Sequence, residues 1–176
     1  MKKISTKALV QIAMLIAIEI VLTRFFSIQT PILRISFGFL PMAIIAMLHG
    51  PLLAGISYAV ADLIGVTLFP AAAFFPGFTL SAFLTGVIFG IFLYEKPQNL
   101  IRVIISVVVI AIFIRIGLTT LWVQMITGRG FIALLPARVT AALVMIPIQI
   151  ICIRAVASER FYAIFGGKAA PPNPAG

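Results

Sequence analysis

Charge is scarce in this sequence: of its 176 residues, 10% are charged and 62% are hydrophobic. A water-soluble domain carries charge on about a quarter of its residues and has far fewer apolar ones. The chain therefore has too few polar side chains to cover a globule in water. We expect most of it to lie in lipid, which excludes an ordinary soluble domain.

Residues that carry catalytic or metal chemistry are also scarce. The chain has one cysteine, Cys152, and one histidine, His49, which excludes an internal disulfide, a cysteine metal cluster and an H-E-x-x-H motif. It has no G-x-x-x-x-G-K-[S/T] phosphate loop. Because His49 falls in a predicted turn, no serine or cysteine gains a histidine partner for nucleophilic catalysis. The sequence predicts no metal, no cofactor and no enzymatic activity of its own.

Apolar runs bounded by turn signals, by contrast, fill most of the chain. Six such runs cover about residues 7–26, 35–48, 52–69, 77–94, 100–126 and 134–157. They predict an all-α integral membrane protein with six transmembrane helices. We expect one six-helix membrane domain over residues 1–165 and a disordered cytoplasmic tail over residues 166–176, where glycine and proline are frequent.

Basic residues outnumber acidic ones by 13 to 4, which gives a net charge of +9. Most of them flank the apolar runs on one side of the membrane: Lys2, Lys3, Lys7, Lys96, Arg102, Arg154, Arg160 and Lys168. By the positive-inside rule, both termini are expected in the cytoplasm. Membrane orientation thus explains the charge, and nucleic acid is not expected as a partner. The external side then holds residues 25–34, 70–76 and 127–133.

An interruption rich in proline and phenylalanine separates the third and fourth runs. Its sequence, LFPAAAFFPG, places Pro70 and Pro76 around Phe74 and Phe75. The prolines end one helix and hold the next away from it. Irregular backbone at membrane depth is tolerated where it lines an enclosed or wet cavity. Two interpretations remain open: a lid of aromatic faces over a cavity, or an aromatic belt at the membrane interface.

Four charged residues lie inside the predicted spans: Glu19, Asp62, Arg115 and Arg138. A charge in lipid is costly unless it is paired or wet, so each marks either a binding site or a structural ion pair. In the first interpretation Asp62 and the two arginines converge with Trp122 and the aromatic loop on the external half of the bundle. They would form a pocket there for a flat, partly anionic organic molecule. In the second, Asp62 pairs with Arg138 or Arg115 and fixes helix packing.

Helical spacing adds neighbours to these charges. Arg115, Thr119 and Trp122 share one stripe of the fifth span. Arg138 follows Pro136 on the first turn of the sixth span, where helix amides favour anions. With the aromatic loop nearby, the sequence predicts a pocket rather than scattered charges.

The first span has two different faces. Ala13 and Ala17 form a small-xxx-small pair, which lets another helix approach closely. At 3.6 residues per turn, Glu19 points about 160–240° away from them. We therefore expect the alanine face to meet a partner while Glu19 faces into the bundle.

Three segments resemble one known family: TRFFSIQTPILRISFGFLPMAIIAMLHGP, ADLIGVTLFPAAAFFPGFTLSAFLTGVIFGIFLY and TTLWVQMITGRGFIALLPAR. They look like the folate-family substrate-binding (S) components of energy-coupling factor transporters. The resemblance covers most of the chain, and its middle segment is specific. It implies a six-helix vitamin binder in the bacterial cytoplasmic membrane. It also implies docking on a shared module made of a transmembrane coupling subunit and two cytoplasmic ATPase subunits.

The resemblance also implies roles for particular residues. Ala13 and Ala17 would contact the coupling subunit, and the loop with Pro70, Pro76 and Gly77 would act as a gate. The candidate ligand-binding residues are Glu19, Arg34, Asp62, Phe74, Phe75, Thr79, Arg115, Thr119, Trp122 and Arg138. The implied ligand is folate or a related pterin. A different vitamin, an intramembrane enzyme, and a structural or regulatory membrane subunit are the alternatives.

Overall fold

Helices make up most of the structure, a computed structural model that describes residues 5–29, 34–70, 74–94 and 100–157. The helices in these ranges are α1 (Thr6–Arg24), α2 (Phe39–His49), α3 (Pro51–Leu68), α4 (Pro76–Leu93), α5 (Leu100–Val109), α6 (Thr119–Thr127) and α7 (Phe131–Val156). A π-helical segment, Ile110–Leu118, joins α5 to α6 without a break. Two short strands, β1 (Ser27–Gln29) and β2 (Arg34–Ser36), lie between α1 and α2.

Five helices of the described ranges are long and apolar enough to cross a membrane: α1, α3, α4, the continuous helix Leu100–Thr127 and α7. The chain is thus a helical, multi-pass membrane protein, as predicted. The predicted second span is not confirmed as a membrane-crossing helix, because α2 has only 11 residues. At 1.5 Å per residue, α2 is ~16 Å long, whereas the hydrocarbon core of a bilayer is about 30 Å thick.

A short hairpin interrupts the otherwise helical chain and explains the late start of α2. Strands β1 and β2 are antiparallel, with Ser27 opposite Ser36 and Gln29 opposite Arg34. The Ser27 hydroxyl also donates to the carbonyl of Thr23, at 2.6 Å, and so ties β1 to the end of α1. Because residues 34–36 pair as a strand, helix α2 begins at Phe39 rather than at the predicted residue 35.

Two prolines place helix starts where the sequence predicted them. Pro51 and Pro76 occupy the first positions of α3 and α4. Proline suits this position because its fixed φ is helical and its missing N–H needs no partner there. The ends of both helices consequently fall within one residue of the prediction. Helix α7, however, begins at Phe131, three residues before the predicted start.

The bundle has two ends, named here by their connections. The loop end holds the connections α1–α2, α3–α4 and α6–α7, and the turn end holds α2–α3 and α4–α5. At the turn end the side chains of Met47, Leu93, Val103 and Ile153 are fully buried, with at most 2% of their surface exposed. This apolar core occupies the turn end.

Glycines let α3 and α4 touch along their backbones near the turn end. A methyl group on Gly86 would lie 2.5 Å from the carbonyl oxygen of Ala54, and one on Gly90 would overlap the backbone of Pro51. Membrane helices commonly use small residues for such contacts, since lipid offers no hydrophobic driving force for their association. The glycines therefore fix the spacing of this helix pair.

Candidate functional site

A cavity of about 210 Å³ opens toward the loop end, between α1, α3, α4, the π-helical segment and α7. Thr23, Ser36 and Phe78, which line it, all lie within a few residues of that end. The full lining is Glu19, Thr23, Ser36, Tyr58, Asp62, Phe78, Ser81, Ala82, Thr85, Ile114, Arg115, Thr119, Arg138, Ala141 and Ala142.

Half of the candidate residues line this cavity: Glu19, Asp62, Arg115, Thr119 and Arg138. They come from four different helices, so only the tertiary fold brings them together. All four charges that the sequence places inside the spans are in this group. The predicted convergence is therefore present in the structure.

Asp62 is held by a neighbouring helix. The Thr79 hydroxyl of α4 donates to Asp62 Oδ2 of α3, at 2.8 Å. Thr79 was a candidate ligand residue, but it is not among the lining residues and instead orients a carboxylate that is. An arginine partner for Asp62 was the alternative, and the structure gives this carboxylate a hydroxyl partner. A carboxylate has room for further hydrogen bonds, so Asp62 can also accept from a ligand.

Glu19 forms a second carboxylate–threonine pair on the opposite side of α1 from its alanines. Its side chain is only 4% exposed, and Thr23, one turn later, donates to Glu19 Oε1 at 2.7 Å. Gly38 packs directly on this pair, because a methyl group there would overlap Thr23 and lie 2.9 Å from Glu19 Oε1. A buried carboxylate needs such partners to remain charged in a dry bundle.

The two arginines supply the positive side of the cavity. Arg115 comes from the π-helical segment and Arg138 from α7, and both line the cavity. Arg138 Nε is buried and has no hydrogen-bond partner among the described residues. A buried donor without a partner is costly, and guanidinium groups bind carboxylates through two parallel hydrogen bonds. An anionic ligand group at this place would supply the hydrogen bond that Arg138 Nε lacks.

An aromatic cluster closes one side of the loop end. Phe75 packs against Trp122, with ring centroids 5.5 Å apart, and against Phe78, at 6.2 Å. Trp122 Nε1 donates to the Ser81 hydroxyl, at 3.0 Å. Ser81 and Phe78 line the cavity, whereas Phe75 and Trp122 stand behind them. Gly77 is needed here, because a methyl group on it would lie 2.5 Å from the Phe75 ring and 2.6 Å from Trp122.

A second contact holds the other end of the same loop. Arg24 Nη1 donates to the carbonyl of Phe69, at 3.2 Å, and so caps the end of α3. Phe25 meets the Phe69 ring edge to face, with centroids 5.4 Å apart. Phe69 is therefore held by Arg24 and Phe25, and Phe75 is held by Trp122 of α6. Residues 71–73, between these two contacts, lie outside the described ranges.

Several candidates are not part of the described lining. Phe74 is 54% exposed, and Pro70 is exposed as well. Arg34 lies in β2, but its side chain is outside the part of the chain whose side chains the structure describes. Ala13 and Ala17 are exposed on α1, whereas Glu19 on the same helix is buried. The two faces of α1 thus point as the sequence predicted.

Sequence reasoning missed several lining residues, most of them small and polar. Phe78, Ser81 and Thr85 recur on α4 at helical spacing, and that stripe was a readable signal next to the aromatic loop. Thr23 follows Glu19 by one turn, which is the spacing of a side-chain pair on one face. Ser36 lies on β2, which the sequence analysis placed at the start of a helix. None of these residues stands out alone, because serine and threonine are ordinary in membrane helices.

The described residues show no centre for a metal. Across those ranges, no group of three or more His, Cys, Asp and Glu side chains could hold a metal ion. The carboxylates, hydroxyls and guanidinium groups that line the cavity can form hydrogen bonds and charge pairs with an organic molecule.

Known proteins resemble the chain over most of its length. Residues 7–157 match the family model "ECF transporter, substrate-specific component". The chain is 45% identical over 153 residues to the Folate transporter FolT of Clostridium novyi (strain NT), covering 87% of this chain and 88% of that protein. It is 33% identical over 154 residues to the Folate transporter FolT of Leuconostoc mesenteroides, covering 84% and 83%. A crystal structure of FolT bound with folic acid matches with a TM-score of 0.83 and 41% identity, covering 86% of this chain and 93% of that one.

Proposed function

The chain belongs to the family of ECF transporter substrate-specific components, and we propose that it is the subunit that captures folate or a related pterin for such a transporter. It acts as a binding protein for transport, not as an enzyme. Two relatives are named folate transporters, and a similar solved structure holds folic acid. The cavity described above supports the same ligand through its own chemistry.

The observation that carries the proposal is that two carboxylates and two guanidinium groups line one cavity. A pterin ring has an edge of hydrogen-bond donors, its exocyclic amine and a ring N–H, which a carboxylate such as Asp62 accepts. The glutamate part of folate carries carboxylates, which suit the guanidinium groups of Arg115 and Arg138. Arg138 Nε has no partner among the described residues, which supports an anionic group as the missing one.

The remaining groups complete the roles in this proposal. Thr79 fixes the Asp62 carboxylate, and Phe78 offers an aromatic face to the ligand. The cavity of about 210 Å³ is smaller than the ~300–1,000 Å³ of most small-molecule sites. We therefore propose that the loop with Pro70, Pro76 and Gly77 moves to admit folate.

Transport itself falls to other chains in this proposal. A transmembrane coupling subunit and two cytoplasmic ATPase subunits supply the energy, since the sequence has no phosphate loop. Ala13 and Ala17 form the docking surface for the coupling subunit. We propose the bacterial plasma membrane as the location, with both termini in the cytoplasm. In that topology α2 and the residues before it complete a sixth crossing, and residues 166–176 form a cytoplasmic tail.

Calorimetric titration of the purified protein with folic acid tests the proposed ligand. We expect saturable binding without ATP and a change in the fluorescence of Trp122, the single tryptophan, whose indole N–H donates to the Ser81 hydroxyl in the cavity lining. Pteroic acid, which lacks the glutamate carboxylates, should bind more weakly. Thiamine and riboflavin serve as controls for a different vitamin. Absence of heat with folic acid, or tighter binding of a control vitamin, would contradict the folate assignment.

A further inference from the structure

The helix Leu100–Thr127 changes its hydrogen-bond register in the middle. Residues Ile110–Leu118 form a π-helix, with α-helix on either side. Most π-helical stretches are single turns, and they occur often at functional sites. Here the stretch carries Arg115 and runs into Thr119, both of which line the cavity.

Thr119 holds this register with two donors. Its backbone N–H donates to the carbonyl of Ile114, five residues earlier, and its hydroxyl donates to the same oxygen at 2.6 Å. The hydroxyl of Thr120 reaches the carbonyl of Arg115, also five residues earlier, at 3.4 Å. Hydroxyls in the α-helices do not reach that far. The Ser106 hydroxyl bonds three residues back, to Val103, and four threonine hydroxyls bond four residues back: Thr67 to Leu63, Thr85 to Ser81, Thr127 to Val123 and Thr140 to Pro136.

The changed register decides which side chains face the bundle. The buried stripe of this helix runs through Val103 and Val107 on α5 and continues through Ile110 and Ile114 of the π-helical segment. Continued at 3.6 residues per turn, it would turn Leu121 inward. In the structure Leu121 is 40% exposed, and its neighbour Trp122 points inward to donate to Ser81. Because π turns are wider than α turns, the π-helical segment shifts the inward face by about one residue. Trp122 therefore takes the inward position that Leu121 would have in a continuous α-helix.

We propose that Thr119 is a positioning residue that holds the π register and thereby directs Arg115 and Trp122 toward the cavity. The Thr119 N–H and hydroxyl both donate to the carbonyl of Ile114, five residues earlier. Loss of the hydroxyl therefore removes one of the two hydrogen bonds that favour the π register over an α-helical turn. The effect on ligand affinity rests on the proposed folate function. The effect on the direction of Trp122 does not, because it is a property of the unliganded protein.

Trp122 provides a direct readout, since it is the single tryptophan of the chain. The protein is reconstituted without ligand in vesicles of dibrominated phosphatidylcholine, whose acyl chains quench tryptophan on contact. In the Thr119→Val variant, which keeps the shape but loses the hydroxyl, closure to an α-helix rotates Trp122 by about 100° toward lipid. We expect quenching to rise on the order of twofold as a result. Thr119→Ser keeps the hydroxyl and should behave like the original protein.

Thr127→Val is the matched control. It also removes a threonine hydroxyl from α6, but that hydroxyl bonds four residues back, at an exposed position. Its quenching should equal that of the original protein. Thr120→Val is the second test, and it should raise quenching in the same direction as Thr119→Val. Unchanged quenching in Thr119→Val overturns the proposal, even if ligand affinity falls, because Thr119 would then act only by touching the ligand.

Calorimetry with folic acid separates this inference from the proposed function. Thr119→Val should bind folic acid roughly tenfold more weakly, and Thr119→Ser should restore most of the loss. The loss should be smaller with pteroic acid, because the displaced Arg115 serves the glutamate carboxylates. If the original protein binds no folic acid, the proposed function fails while the quenching result stands. If Thr119→Val binds folic acid unchanged although its quenching rises, the link between the π register and Arg115 is refuted.

Discussion

The helix pair α3–α4 is joined differently at its two ends. Toward the turn end, Gly86 and Gly90 bring the two backbones into contact with Ala54 and Pro51. Toward the loop end, a hydrogen bond of 2.8 Å between Thr79 and Asp62 bridges the helices. One end is closed by shape and the other by a polar bond that borders a cavity. Tight backbone packing at the turn end holds α3 and α4 together, so the loop end of the pair can border a cavity without closing it.

The same division extends to the rest of the bundle. Met47, Leu93, Val103 and Ile153 are fully buried at the turn end, whereas both carboxylates and both arginines of the cavity belong to the loop half. Buried charges and unpartnered donors reduce stability. We infer that the apolar half stabilises the fold and the polar half binds, so substitutions in the two halves should have separable effects.

The largest expected effect is at the turn end. Valine in place of Gly90 would overlap the backbone of Pro51, which cannot move aside as a flexible side chain could. We expect Gly90→Val to lower the free energy of unfolding by about 3 kcal/mol, measured by thermal unfolding in detergent. Gly130→Val is the control, because nothing lies within 4 Å of a methyl group there. Equal melting temperatures for the two variants would mean that backbone contact does not hold α3 to α4.

The next prediction concerns neither end but the outer face of α1. Tryptophan at both Ala13 and Ala17 would hold a partner helix away, while the cavity lies on the other side of α1. We expect this double variant to lose ATP-driven folate uptake when co-expressed with the coupling module, and to keep its affinity for folic acid. Tryptophan at the exposed residues Leu143 and Val144 of α7 is a control for bulk in lipid. Retained uptake, or lost binding, would contradict the docking role.

At the loop end, Arg138→Lys tests the need for a guanidinium group. Lysine keeps the charge but cannot form two parallel hydrogen bonds with one carboxylate. We expect folic acid to bind about 2 kcal/mol more weakly, roughly 30-fold, in calorimetric titration. The melting temperature should not fall, in contrast to Gly90→Val. If the lysine variant binds folic acid as tightly as the original protein, Arg138 does not recognise the ligand in this way.

The smallest effects are expected at the polar bridge between α3 and α4. Asp62→Asn should weaken folic acid binding by about 1.5 kcal/mol, because the amide is a poorer acceptor for the pterin donors. Thr79→Val should cost about 1 kcal/mol of binding free energy, through the freed carboxylate. Since Thr79 acts through Asp62, the double variant should bind no worse than Asp62→Asn alone. Additive losses would instead indicate that Thr79 touches the ligand itself.

Parts of the fold could be predicted because single residues mark them. Pro51 and Pro76 fix the starts of α3 and α4, and charges inside apolar runs identified Asp62, Arg115 and Arg138 as neighbours. The β1–β2 hairpin was missed because strands of three residues are too short to show alternation.

The π-helical segment was missed for a different reason. Its apolar sequence fits an α-helix equally well, and the choice depends on which carbonyl the Thr119 donors reach. The 3.6-residue stripe that grouped Arg115, Thr119 and Trp122 thus assumed an α-helical geometry that the structure does not have there. Arg115 and Thr119 line the cavity, whereas Trp122 stands behind it. Thr23, Ser81 and Thr85 escaped notice because their importance comes only from what they face in the folded bundle.

The contacts at the two ends of the proposed gating loop, at Phe69 and at Phe75, differ in their relation to the cavity. The Phe69 end is held by Arg24 and Phe25, which lie outside the cavity lining. The Phe75 end is held by Trp122, whose other partner, Ser81, faces the cavity. A molecule that competes for the Ser81 hydroxyl therefore loosens one attachment and leaves the other intact. In the gate proposed above, the Phe75 contact would therefore break before the Phe69 contacts, and a compound that holds Trp122 on Ser81 would block capture without disturbing Phe69.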